Sequence, residues 1–344
     1  MREEEVVNTK YTEMEKIMKI AIIGCRHAHI FSLYQLIKES DRVEFAGAYE
    51  TDTNARDAAE KNQGMRFPYS SVEDIFADKT VDAVALGDYY GIRGAQAIVA
   101  LKAGKHVIAD KPLCTSLDEL DEIERLAKEK GLSVGIMLDL RYHKNILTAK
   151  QLIADGTIGG IHNVQFGGQH PLQYGTRPGW YFEEGKHGGV INDIAIHGID
   201  LLTYLTGNTV EKINAARTYN AYATEVPHFR DCGQMMLTLS GGAGVLADVS
   251  YSAPNKMGYS YPYYWEFHIW GERGMVSFNY NSDGVTLCAA DAEAPTVVPA
   301  IAPYGNVLDA FLDDIEGKST LMSTAEAIGV QRKALEIQRI ADEA

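Results

Sequence analysis

The sequence predicts an α/β plus α+β chain. An N-terminal doubly wound parallel sheet is followed by a C-terminal α/β domain built on an open, mainly antiparallel sheet. Two observations carry this prediction. Up to about residue 140, short apolar runs alternate with stretches of helical periodicity, as in a parallel sheet covered by helices. After residue 140, long strand-like segments are separated by turn residues, which is typical of antiparallel pairing.

Five short apolar runs predict the buried strands of the first half. The first ends at Gly24, a residue that commonly closes such a run. Ser116 and Glu119 predict a capping box at the start of the last helix of this half, and Gly131 is expected to end that helix. The predicted strands are 19–23, 43–49, 81–87, 105–109 and 133–138. The predicted helices are 29–39, 54–62, 72–77, 94–103 and 116–130.

The second half begins with a helix at 144–154 and a turn into a strand at 161–168. A helix carrying Asp193 follows and ends at Gly207, and strand-like segments continue to about residue 289. Two C-terminal helices are predicted that could pack on either domain. The remaining predicted strands are 210–222, 231–240, 243–252, 264–270, 274–280 and 284–289, and the C-terminal helices are 306–316 and 324–341.

Composition limits the class of protein. The chain has 344 residues, 46% of them apolar, and a net charge of −15 from 32 Lys plus Arg against 47 Asp plus Glu. This balance argues against nucleic acid or an anionic membrane as a partner, because both need a basic face. No signal peptide or membrane-length apolar run is visible. The four scattered cysteines fit a reducing cytoplasm.

Residues 188–200 hold the first catalytic candidates. Asp193 and His197 are four residues apart on a predicted helix, so both should project from one side. A carboxylate beside an imidazole can orient it and stabilise its charged form, as a general base requires. A structural ion pair is the more common explanation of such a pair taken alone.

The turn after the first strand is the expected place for a dinucleotide pyrophosphate. It has the sequence Gly24-Cys25-Arg26-His27-Ala28-His29, which keeps only the first glycine of G-x-G-x-x-G. Arg26 or His27 could instead meet phosphate charge directly. Glu50, at the end of the second strand, favours NAD over NADP because an acid there accepts from the adenosine ribose and repels a 2′-phosphate. Judged on the turn alone, a parallel-sheet enzyme that binds no dinucleotide remains an alternative.

These motifs together resemble the glucose–fructose oxidoreductase / inositol dehydrogenase / MocA family, over nearly the whole chain beyond residue 17. Asp110-Lys111-Pro112 stands where the family usually has Glu-Lys-Pro. The other matching pieces are Val81-Asp82-Ala83-Val84, Ala103-Gly104-Lys105-His106-Val107, Gly156-Thr157-Ile158-Gly159, Gly188-Gly189 with Asp193, His197 and Asp200, and Gly271-Glu272-Arg273-Gly274.

The resemblance implies a Rossmann dinucleotide-binding domain at 18–140 and a substrate-binding and oligomerisation domain at 141–344. Residues 1–17 are expected to be a mobile extension, and Met18 could be the true start. The resemblance also implies that Lys111 lies near the nicotinamide, that His197 is the acid/base, and that Asp193 helps to place His197. A homodimer or homotetramer is expected. The expected cofactor-binding residues are Gly24, Arg26, His27, Ala28, Glu50, Gly87, Asp88, Asp110 and Lys111.

The chain departs from the family in three places. The glycine turn is degraded, Asp110 replaces the usual glutamate, and Gly87-Asp88-Tyr89-Tyr90 replaces the usual Ala-Thr-Pro-Asn. Asp88 would be unfavourable beside a pyrophosphate unless it pairs with Arg26 or Arg93.

Loops around the Asp193 helix supply candidates for substrate contact, and an aromatic stretch at 251–265 suits either a sugar or a subunit contact. No metal is expected, since His170, His187, Asp193 and His197 have no fixed ligand spacing. The expected substrate-binding residues are Arg141, Tyr142, His170, Arg177, Trp180, Asp193 and His197.

The leading hypothesis is an NAD-dependent oxidoreductase that acts on a hydroxyl of a sugar, cyclitol or related polyol. One alternative is an NAD-dependent glycoside hydrolase of the same fold, with which Tyr142, His143 and the aromatic stretch at 251–265 are compatible without being evidence for it. The other is a non-catalytic dinucleotide- or sugar-sensing protein, which the degraded turn favours and the retained Lys111, Asp193 and His197 oppose.

Overall fold

The structure is a computed structural model that describes residues 17–344. Most of the expected N-terminal extension, residues 1–16, lies outside the described residues. In the described part, no helix is long and apolar enough to cross a membrane.

The first half forms a five-stranded parallel sheet in the order β2-β1-β3-β4-β5. Alternate residues of β1 serve opposite faces: Ile20 and Ile22 join the cluster under α1, and Ala21 and Ile23 join the cluster under α4. Burial on both faces explains why these strands are continuous apolar runs. The strands are β1 Met18–Ile23, β2 Val43–Tyr49, β3 Ala83–Leu86, β4 His106–Ala109 and β5 Val134–Ile136. The helices are α1 His29–Glu39, α2 Thr53–Gln63, α3 Val72–Ala77, α4 Tyr90–Lys102 and α5 Leu117–Lys130.

Two local predictions in this half need correction. Helix α4 begins at Tyr90, four residues before the predicted start, because Tyr90 and Arg93 are buried and belong to its inner face. Only half of the expected capping box forms at α5: the Ser116 side chain accepts from the Glu119 backbone N–H. Gly131 ends this helix in the left-handed conformation, as predicted.

The second half forms an eight-stranded sheet in the order β13-β12-β11-β10-β6-β9-β8-β7. Only β6 and β9 pair in parallel, so the expectation of a mainly antiparallel sheet is confirmed. The strands are β6 Ile161–Pro171, β7 Val210–Tyr219, β8 Cys232–Leu239, β9 Gly244–Ala253, β10 Glu266–Gly271, β11 Gly274–Asn279, β12 Gly284–Ala289 and β13 Thr296–Pro299. The last of them was not predicted.

The helices of the second half are α6 Lys144–Ala154, α7 Ile196–Thr206, α8 Val307–Ile315 and α9 Thr324–Glu343. Helix α8 contacts α1 and β5 of the parallel-sheet half, whereas α9 contacts α5, β5, α7 and β7. The C-terminal helices therefore pack on both halves of the chain. A five-residue π-helix, Ile191–Ala195, leads directly into α7.

Candidate active site

A buried ion pair joins the two halves of the chain. The Lys111 ammonium lies 2.6 Å from Asp193 Oδ1 and donates also to the Asp193 carbonyl at 2.9 Å. The two residues are only 5% and 2% exposed. Lys111 follows β4, and its bond to Pro112 is cis, while Asp193 lies in the π-helix.

The second carboxylate oxygen of Asp193 has its own donors. His187 Nε2 lies 3.2 Å from it, and the Tyr251 hydroxyl donates to it in a short contact. His187 Nδ1 accepts from the Gly189 backbone N–H at 3.2 Å, so the ring proton belongs on Nε2. Burial alone would raise the pKa of Asp193, but Lys111 and His187 hold it well below its usual range. Asp193 is therefore an ionised centre with three donors.

Two glutamines of α9 hold the turn that carries Asp193. Gln331 accepts from the Leu113 backbone N–H at 2.8 Å and donates to the Asn192 side chain at 2.7 Å. Gln338 accepts from the N–H groups of Ile191 and Asn192 at 2.9 and 3.2 Å. The loop after Lys111 and the π-helix are thus bound to the same helix, which fixes the ion pair between them.

The two glycines before the π-helix are required by close packing. Gly188 and Gly189 have φ values of +80° and +97°, which L side chains rarely adopt. A Cβ at Gly188 would lie 2.2 Å from Thr115, and one at Gly189 would lie 2.2 Å from Gln338. A side chain at either position would therefore have to displace Thr115 or the Gln338 amide that holds the π-helix.

His197 lies beside the pair and makes no hydrogen bond to Asp193 in the described part of the chain. Its Nδ1 is buried without a hydrogen-bond partner, and its ring meets Trp265 edge-on at 5.4 Å between centroids. Burial and the charge of Lys111 lower its pKa well below the usual value, so the imidazole is neutral at neutral pH. The expectation that Asp193 orients His197 needs correction, because Lys111, His187 and Tyr251 take up the carboxylate.

Glu50, at the end of β2, is occupied by its own turn. Its carboxylate accepts from the Cys25 N–H at 2.8 Å, Arg26 Nε at 3.0 Å and the Asp52 N–H at 2.7 Å. Arg26 also faces Asp52 at 3.8 Å and Asp88 at 3.9 Å. One guanidinium is therefore surrounded by three carboxyl groups. The expected pairing of Asp88 with Arg26 is thus loose.

The turn before α1 offers donors for an anion. The N–H groups of Arg26 and His27 donate to Gly87 O, but those of Ala28 and His29 have no acceptor among residues 17–344. Ala28 is exposed, and the eleven-residue α1 begins directly after it. Free amides at a helix N-terminus are a ready anion site, so these residues fit a dinucleotide pyrophosphate. The Trp180 indole donates to Arg26 O at 3.3 Å and covers one side of this turn.

Asp110 is fully buried between the turn and α4. His27 Nδ1 makes a short contact with one oxygen, His29 Nδ1 lies 3.3 Å from the other, and Arg93 Nη2 lies 3.3 Å away. Burial alone would raise the pKa of Asp110, but His27 and Arg93 hold it well below its usual range. Arg93 uses its other donors on the carbonyls of Asp88, Asp110, Lys111 and Pro112 rather than on the Asp88 carboxylate.

Potential metal ligands gather at a place that the sequence did not indicate. Within residues 17–344, the ligand atoms of His27, His29 and Asp110 lie within 4.8 Å of one another. The charge of Arg93 already faces this carboxylate, so we interpret the group as a hydrogen-bonded network around the Arg93–Asp110 ion pair. His170, His187, Asp193 and His197 form no such group within the same range.

Comparison with known proteins identifies the family. Residues 18–137 match the oxidoreductase family with an NAD-binding Rossmann fold, and residues 146–277 match the GFO/IDH/MocA C-terminal domain. The chain belongs to the GFO/IDH/MocA oxidoreductase family. This confirms the resemblance drawn from the motifs and the predicted fold class.

Several relatives of this GFO/IDH/MocA protein have named activities. D-xylose dehydrogenase of Paenarthrobacter nicotinovorans is 23% identical over 76% of this chain and 69% of its own. Myo-inositol 2-dehydrogenase of Thermotoga maritima is 24% identical over 80% and 79%. An NADP-linked scyllo-inositol 2-dehydrogenase of Bacillus subtilis is 27% identical, but the match spans only about half of each chain (52% and 50%).

Solved structures show the same fold. A protein from Erwinia carotovora atroseptica SCRI1043 superposes with a TM-score of 0.82 at 26% identity, over 94% of this chain and 99% of that one. Levoglucosan dehydrogenase, in complex with NADH and levoglucosan, superposes with a TM-score of 0.75 at 20% identity, over 93% and 96%.

The structure brings three of the expected substrate residues of this GFO/IDH/MocA protein near the ion pair. The His170 ring meets Tyr251 at 6.5 Å, and Arg177 lies over the same tyrosine at 5.1 Å. Trp180 stacks on Tyr181 at 4.0 Å. Burial lowers the pKa of His170 to about 3, so this ring is neutral as well.

Two expected substrate residues lie elsewhere, which is a correction. Arg141 is 1% exposed and forms a buried pair with Asp200, with Nη2 2.6 Å from Oδ1. Tyr142 packs into the cluster under α1 and α8, and His143 stacks on Tyr280 and caps α6. Local sequence cannot separate a buried structural arginine from a ligand-binding one. The buried position of Tyr142 gives it no place at the candidate site, so it offers nothing that favours the glycoside hydrolase alternative.

Sequence reasoning underrated or missed four contributors. In the sequence, Tyr251 is one member of an aromatic stretch with no sign of its role, yet its hydroxyl donates to Asp193. Tyr90 is fully buried, shares a hydrogen bond with Tyr181 at 2.9 Å and lies 5.9 Å from the Lys111 ammonium. Gln331 and Gln338 sit about 140 residues beyond the turn that they hold, so no local pattern marks them.

Proposed function

We propose that the chain is an NAD-dependent oxidoreductase that transfers a hydride between nicotinamide and a CH–OH group of a sugar, cyclitol or related polyol. One observation carries the proposal. A buried ammonium, Lys111, is held by Asp193 beside a neutral imidazole, His197, whose Nδ1 has no partner in the described chain. A buried polar atom without a partner costs about 1–3 kcal/mol, so a bound hydroxyl would relieve it.

The chain's own groups account for the proton and the charge. His197 takes the proton of the reacting hydroxyl, because its imidazole is neutral at neutral pH. Lys111 stabilises the negative charge that develops on the oxygen, and Asp193 fixes the ammonium in place. His187 and Tyr251 in turn orient Asp193. When bound, the nicotinamide supplies the hydride chemistry.

We propose NAD as the preferred dinucleotide. The Ala28 and His29 amides suit the pyrophosphate that NAD and NADP share. The two differ at the ribose, where Glu50, Asp52 and Asp88 outnumber the charge of Arg26. A 2′-phosphate would add negative charge to this acidic group and would meet a guanidinium that is already paired.

We propose that the exposed sheet face pairs with a second copy of the chain. Met236, Leu246 and Tyr263 are 46%, 56% and 62% exposed. They line a cavity of about 970 Å³ across β6, β8 and β9. An apolar face of this kind on a sheet is typical of a subunit contact.

The central test is substitution of His197. His197→Ala should lower kcat by about 10²–10⁴-fold on any polyol that the unmodified protein oxidises, the usual range for a lost general base. His162→Ala, at an exposed position of β6, is the matched control and should keep full activity. The assay is net NADH formation, which also separates this reaction from a hydrolase that regenerates its cofactor. Full turnover by His197→Ala would refute the proposed mechanism.

A further inference from the structure

Arg177 differs from the other arginines around the site. Arg26, Arg93 and Arg141 each face a carboxylate: Glu50, Asp110 and Asp200, respectively. Within residues 17–344, no carboxylate lies within salt-bridge distance of Arg177. In a chain with a net charge of −15, a half-buried arginine without an acid is unusual.

The guanidinium of Arg177 is held in place by its own loop. Nε donates to Leu172 O at 2.7 Å, and Nη2 donates to Pro171 O at 2.9 Å. The group also lies over the rings of Tyr181 and Tyr251, at 4.5 and 5.1 Å from their centroids. Two carbonyls and two rings fix its orientation, so little side-chain entropy remains to be lost on binding a ligand.

One nitrogen of the fixed guanidinium has no partner among the described residues. Nη1 of Arg177 makes no hydrogen bond to any residue that the structure describes. The neutral carbonyls that hold Nε and Nη2 do not cancel the charge. A preorganised guanidinium with a free donor is suited to a carboxylate, with which it makes a strong charge-assisted hydrogen bond.

Arg177 is also connected to the reacting centre. Tyr251, under its guanidinium, donates to Asp193, which holds Lys111. The other cation here, Lys111, is paired with Asp193 and is assigned to the reacting oxygen in the proposed mechanism, so it does not serve a second anionic group. One free guanidinium balances the single charge of a carboxylate but only part of the charge of a phosphate dianion.

We propose that Arg177 binds a carboxylate of the substrate, so that the substrate class is a polyhydroxy acid, such as a uronate or an aldonate. The inference rests on the proposed function and narrows its substrate from polyols in general to acidic ones. The acid group anchors the molecule at Arg177, and one of its hydroxyls reaches Lys111 and His197. The carboxylate takes no part in bond making or breaking.

The first experiment compares acids with their neutral counterparts. Glucuronate, galacturonate and gluconate are assayed against glucose, galactose and glucitol by NADH formation. The unmodified protein should show at least a tenfold higher kcat/KM on an acid. Arg177→Gln should lower the ratio of kcat/KM for the acid to kcat/KM for its neutral counterpart by about 10–150-fold, the equivalent of one hydrogen bond to a charged group. Arg177→Lys should give a ratio between that of the unmodified protein and that of Arg177→Gln.

The matched control is Arg66→Gln, which removes the same charge at an exposed position of the parallel-sheet half. It should leave both substrates unaffected. Equal losses on acid and neutral substrates in Arg177→Gln would show that Arg177 only supports Tyr181 and Tyr251, and would overturn the inference. A preference for neutral sugars or sugar phosphates would overturn it too.

A second experiment needs no turnover. Binding of the same three acids to the protein is measured by calorimetry, with and without NAD, for the unmodified chain, Arg177→Gln and Arg66→Gln. Acid binding that is lost only in Arg177→Gln supports the inference, even if no compound is oxidised and the proposed function fails. Absence of binding by all three acids to the unmodified chain would overturn it.

Discussion

The Lys111–Asp193 pair allows a quantitative test that needs no substrate. Both side chains are almost fully buried, at 6% and 3% exposure, with Nζ 2.6 Å from Oδ1. Removing one partner of such a pair leaves an uncompensated buried charge and costs about 3–5 kcal/mol. We therefore expect Asp193→Asn to lower the free energy of unfolding by about that amount at pH 7.

The structure also predicts an asymmetry between the partners. In Lys111→Met, the Asp193 carboxylate keeps His187 and Tyr251 as donors. In Asp193→Asn, the ammonium keeps the Asp193 carbonyl as a charge-free acceptor. Asp193→Asn should thus be the more destabilising change. The double variant should lose less stability than the sum of the losses of the two single variants, because neither charge is left alone. The expected coupling energy is about 0.5–3 kcal/mol.

Urea unfolding without ligand, followed by circular dichroism, measures these differences. The folded-state pKa of Asp193 is depressed, so its contribution is present above the unfolded value of about 3.9 and is lost as the pH falls further. The difference in free energy of unfolding between the unmodified chain and Asp193→Asn should therefore become smaller below about pH 4. Arg125→Gln, which breaks an exposed pair, is the control and should change the midpoint little. An additive double variant, or an unchanged midpoint in Asp193→Asn, would refute the reasoning.

Three further outcomes are expected. The free energy of unfolding should fall as the pH drops below about 6.5, by up to about 1.4 kcal/mol per pH unit for each of His27, His170 and His197. The reason is that their lowered pKa values keep these side chains neutral in the folded chain, whereas the unfolded chain binds protons. Denaturant titration from pH 7 to pH 4 measures this loss. Fluorescence titration should show tighter binding of NAD than of NADP, and Glu50→Ala should narrow the gap; equal affinities in the unmodified protein would count against the assignment. Light scattering should find a dimer or tetramer that Leu246→Glu dissociates, whereas a monomer at micromolar concentration would contradict the proposed contact.

Sequence alone predicted the elements that depend on local pattern. The bounds of α1 and α3 agree with prediction, and β2 and β12 do as well, because apolar periodicity and turn residues are local signals. Strand β13 is not evident in sequence because it has only four residues and prolines stand directly before it and at its last position, which argues against a strand. The start of α4 was misplaced because Tyr90 and Arg93 are buried by partners distant in sequence.

The site was predictable as a set of stretches but not as a set of contacts. Lys111, Asp193 and His197 were found through their motifs, and the structure brings the three together. Arg141 looked equivalent to Arg177 in sequence, since each lies in a loop near an aromatic residue. Only the fold shows that Asp200 neutralises Arg141 while Arg177 meets carbonyls and rings.

The π-helix explains why the simplest reading of the Asp193–His197 spacing failed. A regular α-helix would place side chains four residues apart on one face, where a carboxylate could orient an imidazole. Here the turn is widened over Ile191–Ala195, and its N–H groups are held by Gln338. Asp193 is bound by Lys111 from the other half of the chain. Asp193 therefore acts on the charge of Lys111, and no described residue accepts from or donates to Nδ1 of His197. In the mechanism that we propose, the alkoxide and the proton are accordingly assigned to two groups that do not contact each other through Asp193.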